Sequence, residues 1–169
     1  VDEYVKAVLP NGTTAVAADP HEIANVAGLE GIRALVDAAE KMPFTFGVAA
    51  SSCVPASPFE SAGAAFSAAD VKTIIDELGA IGVAEVMNYP AVINGDPMFR
   101  DIIASAGWRK VDGHAPGLRG RALDAYLAAG IESDHECFAL DEAHEKRQKG
   151  MWVFLRQGSV CQDLLELLP

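Results

Sequence analysis

The feature that most constrains this chain is a repeated alternation. Short apolar runs give way to amphipathic stretches six times along the sequence. The runs are predicted as strands at Thr13 to Ala18, Phe44 to Ala49, Val83 to Met87, Arg109 to Asp112, Ile131 to His135 and Trp152 to Arg156. The amphipathic stretches are predicted as helices through Ile23 to Ala39, Ala68 to Leu78, Met98 to Ala106, Arg121 to Ala129, Leu140 to Lys149 and Cys161 to Leu168. Before them, Val1 to Leu9 has helical spacing and is stopped by Pro10 and the Asn11-Gly12 turn pair. Strands that alternate with helices make a parallel α/β fold, and runs apolar on both faces fit a sheet covered by helices. A doubly wound sheet and an incomplete (β/α)8 barrel both satisfy this pattern. A complete barrel takes about 250 residues. This chain of 169 residues opens on a helix with no strand before it, and reads as strands two to seven of eight in one partial-barrel domain, 1–169.

Charge and composition narrow the function classes. The net charge of -11 argues against a nucleic-acid backbone or an anionic membrane as partner, since both call for basic patches. No run of 18 uncharged apolar residues is present, and the N-terminal residues lack the basic and apolar regions of a signal peptide. The three cysteines, Cys53, Cys137 and Cys161, fall at no metal-ligand spacing, which suits a reducing cytoplasmic setting.

In parallel α/β folds the ligand lies at the carboxyl ends of the strands. Those ends read Asp19-Pro20-His21-Glu22, Ser51-Ser52-Cys53, Asp112-Gly113-His114 and Asp134-His135-Glu136, with Arg156 closing the sixth run. Three of the four histidines lie there. Glu85 sits inside the third run between Ala84 and Val86, where a lone carboxylate is costly unless it is paired or bound to a metal. Glu85, His114 and His135 are therefore the candidate metal ligands, a donor set that suits zinc, iron or manganese. Each has a plainer alternative: Glu85 as a salt-bridged core residue, the histidines as loop caps bonded to backbone. Asp19, Pro20 and Glu22 have the pattern of a helix cap with a capping box, with or without a role at the mouth. His144, in a charged helix, reads as a solvated residue, and Cys53 as a small buried one.

Five blocks carry a resemblance: residues 17–26 (AADPHEIANV), 51–56 (SSCVPA), 83–90 (VAEVMNYP), 111–118 (VDGHAPGL) and 130–136 (GIESDHE). In that order and spacing, over essentially the whole chain, they resemble the adenine deaminase family of metal-dependent amidohydrolase barrels. The resemblance implies hydrolytic deamination of a small purine base, adenine, to hypoxanthine and ammonia, with two divalent ions per full site. It implies that Glu85 bridges the ions, that His114 and His135 hold the more exposed one, and that Glu136 is a candidate proton donor to the ring. Asp112 and Asp134 are candidates to orient the imidazoles, as carboxylates beside metal-bound histidines commonly do, and Asp19, His21 and Glu22 are candidate mouth residues from their place at a strand end. The family also has a His-x-His pair on its first strand and an aspartate after its last. No His-x-His occurs in this sequence, so the isolated chain is expected to be inactive and to be part of a longer enzyme, homo-oligomeric at full length; an open six-strand barrel would expose its edge strands and apolar interior, so the segment alone is expected to be poorly soluble. A related cyclic-amide hydrolase, with a modified lysine at the bridge, and a non-catalytic metal-binding domain are the competing readings.

Overall fold

In a computed structural model, residues 1–168 are described. The elements follow the order α1 (Asp2–Val8), β1 (Ala15–Ala18), α2 (His21–Ala39), β2 (Thr45–Val48), α3 (Ala68–Glu77) and β3 (Gly82–Val86). Then come α4 (Tyr89–Ile93), α5 (Pro97–Ser105), β4 (Lys110–Gly113), α6 (Gly120–Ala128), β5 (Ser133–Asp134), α7 (Leu140–Gln148), β6 (Trp152–Val153) and α8 (Leu164–Leu167). The six predicted strands are present, and β1–β2, β3–β4 and β5–β6 pair in parallel. An Ala50–Val83 bridge links β2 to β3. A bond from Glu132 N–H to the Val111 carbonyl (3.0 Å) links β4 to β5. The strands thus lie side by side in chain order among the described residues. The order reversal that defines a doubly wound sheet is not found among them.

Local chemistry sets the boundaries. Ser67 caps α3 in a reciprocal capping box with Asp70, whose carboxylate accepts the Ser67 N–H at 2.7 Å. Asp96 caps α5, with Pro97 supplying the preset φ of a first helical residue. Apolar faces of these helices meet the strands in a core that includes Val71, Ile74, Ile75, Val83, Val86, Ile102, Leu123 and Ile131.

Four expectations need correction. The helix predicted from Ile23 to Ala39 is interrupted at Gly28 (φ 59°, ψ -146°), a backbone state that favours glycine. Residues Tyr89–Ile93 form a short helix, α4, that apolar periodicity does not reveal; it is nucleated by the Asn88 side chain accepting the Ala91 N–H. The sixth strand ends at Val153 rather than Arg156, since the Arg156 N–H is bonded to Asp163. The last helix begins at Leu164 rather than Cys161, because Gln157 and Gln162 form an antiparallel bridge ahead of it.

Candidate metal centre

The third strand is irregular where it matters. β3 and β4 align at Val83–Val111 and again at Val86–Gly113, so three steps on one strand oppose two on the other. Glu85 lies in this bulge, a device that re-aims a side chain at a sheet edge. Next to it, Gly113 permits a close approach of β4 to β5: a Cβ there would lie 2.2 Å from the Ser133 carbonyl oxygen. Together these features bring the ends of three consecutive strands within side-chain reach.

Glu85, His114 and His135 converge. One carboxylate oxygen, Glu85 Oε2, lies 2.7 Å from His114 Nδ1 and 3.0 Å from His135 Nε2. The two rings are 5.4 Å apart and nearly perpendicular. The imidazoles therefore meet a carboxylate, not backbone as loop caps would. Glu85 is paired with imidazoles, not with a lysine or arginine. On the other side of the carboxylate, Glu85 Oε1 lies 3.5 Å from His21 Nδ1, which in turn is 3.2 Å from Asp19 Oδ1.

The capping pattern at Asp19 is not realised. Pro20 precedes α2, and its first turn has no side-chain cap. Asp19 instead accepts the Ser51 hydroxyl at 3.3 Å and faces His21. The His21 ring nitrogen is not aligned for a hydrogen bond to it, so Asp19 Oδ2 and His21 Nδ1 are buried without a hydrogen-bond partner. Glu22 is largely exposed and lies 3.4 Å from His21 Nε2.

The remaining predicted residues fall nearby but differently from expectation. Glu136 is 3.9 Å from His135 Nε2 and is bound by Arg156, which also holds Asp163 at 2.9 Å. Asp112 accepts the Ser133 hydroxyl at 2.8 Å and reaches neither ring. Asp134 does not bond to a ring either. It is fully buried, and one of its oxygens accepts the N–H groups of Ala115, His135 and Glu136 at 3.1, 2.9 and 3.1 Å. His144 is exposed on α7, as its charged surroundings suggest, and Cys53 is buried.

Electrostatics follow from these contacts. Burial by itself raises the Glu85 pKa, but the bonds from His114 and His135 outweigh it and hold the carboxyl well below its usual range. His135 is raised, chiefly by Glu85, and His21 is raised to about 9, chiefly by Asp19. A carboxylate kept ionised beside two imidazoles suits a cation. Ligand atoms of a four-coordinate ion at about 2.1 Å are about 3.4 Å apart. The Glu85, His114 and His135 donor atoms lie within 4.8 Å of one another, and so do those of Asp19, His21 and Glu85. The unpartnered Asp19 and His21 atoms fit the same purpose, since buried polar groups ordinarily find a partner. A third acidic group, Asp134 with Cys137 and Glu142, is different. Lys146 already neutralises both of its carboxylates at 2.5 Å, and burial pushes the Cys137 thiol up to about 12.

Sequence reasoning missed Tyr126, Glu142 and Lys146, and it placed Ser52 at a strand end without giving it a task. Ser52 donates to the Glu85 carbonyl at 2.7 Å. Lys146 has no exposed surface at all. The signal for it was present: α7 (LDEAHEKRQ) contains only Leu140 and Ala143 as apolar residues, so part of its inward face had to be polar.

The chain is similar to curated adenine deaminases from Nitratidesulfovibrio vulgaris (49% identity over 169 residues), Syntrophobacter fumaroxidans (49% over 167) and Archaeoglobus fulgidus (45% over 167). In each case 99% of this chain is covered, and it spans only 29 to 30% of the relative's length. The model of the amidohydrolase family matches residues 1–160, and the chain belongs to that family.

Proposed function

We propose that this chain is the central portion, about strands two to seven, of an incomplete (β/α)8 barrel, and that it provides one wall of an adenine deaminase site. In-order parallel strands, with the acidic and imidazole groups gathered at their carboxyl ends, support the barrel reading. The observation that carries the function is the meeting of His114 and His135 on a single oxygen of Glu85. The reaction is adenine plus water to hypoxanthine plus ammonia, a step in purine salvage. We place it in the cytoplasm, in a homo-oligomer without nucleic-acid or membrane partners. No helix among the described residues is long and apolar enough to cross a membrane.

Two divalent ions, of manganese, iron or zinc, supply the Lewis acidity that makes water nucleophilic near neutral pH. Glu85, His114 and His135 would hold one, and Glu85 with Asp19 and His21 lies where a second could be served. The chain's own groups have separable tasks. Glu85 stays ionised and offsets cationic charge from a mostly buried position. Asp134 fixes the backbone of His135. Glu136, anchored by Arg156, is the candidate to hand a proton to a ring nitrogen of the base. A cyclic-amide hydrolase would need a modified lysine at the bridge. Glu85 occupies that place, and the buried Lys146 is fully engaged elsewhere.

The test is a chimera in which this chain replaces the matching segment of the Nitratidesulfovibrio vulgaris relative. Ammonia release from adenine is expected within about tenfold of the host, and Glu85→Gln is expected to lower it by about a hundredfold or more, beyond what loss of an outer-shell partner does. A chimera that folds and takes up metal yet releases no ammonia from adenine overturns the proposal.

A further inference from the structure

Outside the cluster around Glu85, the most unusual feature is a set of three buried charges. Lys146 of α7 donates to Asp134 and Glu142 at 2.5 Å each and to the Ala115 carbonyl at 2.7 Å. None of the three side chains is more than 2% exposed. Glu142 in turn accepts the Gly117 N–H at 2.8 Å. Asp134 accepts the N–H groups of Ala115, His135 and Glu136.

We propose that Lys146, Asp134 and Glu142 form a positioning unit that sets the spacing of His114 and His135 by clamping the backbone on which both rings stand. This rests on the reading of those two histidines and Glu85 as ion ligands. The loop after β4 is held at Ala115 N, Ala115 O and Gly117 N, within three residues of His114. The residues after β5 are held at His135 N and Glu136 N. Asp134 is common to both sets, so the two loops cannot shift independently without breaking its bonds. Metal sites tolerate ligand distances only to within about 0.2 Å, so the placement of the backbone beneath each ring decides affinity.

Stability alone gives no reason for this arrangement. Burying charges is expensive, and well-packed apolar side chains of similar volume often serve a fold as well or better. An apolar side chain cannot accept four backbone N–H groups and satisfy the Ala115 carbonyl. Carboxylates and an ammonium can, through charge-assisted hydrogen bonds. The unit also acts through helix α7, which offers Glu142 and Lys146 one turn apart on the same face.

The experiment uses the chimera loaded with Co2+, whose visible absorption reports ligand geometry. In Lys146→Met that remains folded by circular dichroism, Co2+ affinity is expected to fall about ten- to a hundredfold, and the absorption band is expected to change shape. Parental affinity and band shape, with only a lower melting temperature, would mean a purely structural role and overturn the proposal. If Lys146→Met does not fold, Glu142→Gln carries the test. It keeps an acceptor for Gly117, and a smaller affinity loss with an altered band supports the proposal, whereas parental values overturn it. A parent chimera that takes up no Co2+ overturns this proposal together with the metal reading. A parent that binds while the variants match it overturns this one alone.

Discussion

The hydroxyl of Tyr126 accepts the backbone N–H of His114 at 3.0 Å while donating to the Val86 carbonyl at 2.7 Å. One fully buried oxygen on α6 thus ties the strand that carries Glu85 to the residue that faces it. Tyr126→Phe leaves a buried N–H and a buried carbonyl without that partner. A loss of about 1–3 kcal/mol is expected, the cost of an unsatisfied buried group. Amide hydrogen exchange at His114 should accelerate accordingly, while distant amides such as those of α3 keep their rates.

Gly113 makes a second prediction. A methyl group there would sit 2.2 Å from the Ser133 carbonyl oxygen and 2.7 Å from Ile131 Cγ2. Backbone cannot yield as a flexible side chain does, so Gly113→Ala should push β4 and β5 apart. Overpacking of this kind costs about 1–3 kcal/mol. Thermal unfolding measures that loss. Weaker divalent-ion uptake should accompany it, because the spacing of His114 and His135 depends on the same contact.

A pH effect follows from the seam between α6 and α7. Glu145 accepts Arg119 Nε at 2.9 Å and the Gly120 N–H at 2.7 Å, and its carboxyl falls from the ordinary 4.5 to about 2, chiefly through Arg119. A carboxyl lowered on folding stabilises the folded state fully above its unfolded value. That contribution fades as pH falls from about 4.5 through about 2. Glu145→Gln should therefore lower stability at neutral pH and flatten the acid limb of the stability profile between those values. Urea midpoints of parent and variant across pH 2 to 6 check it; parallel curves would count against the seam.

The sequence showed Glu85 because a charged residue inside the run from Val83 to Met87 conflicts with burial unless it has partners. It showed His114 and His135 because a parallel α/β topology puts strand ends together, whatever the details of packing. It did not show that Asp19 leaves its capping role for His21 and Ser51, since a cap and a mouth residue look identical in sequence. Nor did it show α4, whose five residues are too few for periodicity to register.

The order and type of the six strands, and the identity of the acidic and imidazole residues at their ends, were determined by hydrophobic period and by the cost of a stray charge in an apolar run. These are local properties, written within a few residues of each other. Which oxygen of Glu85 meets which ring, and that Lys146 is buried while His144, two residues away on the same helix, stays in water, depended on a bulge in β3, the close approach at Gly113 and the facing surface of α7. Those are relations between segments distant in the chain, fixed only when packing brings them together.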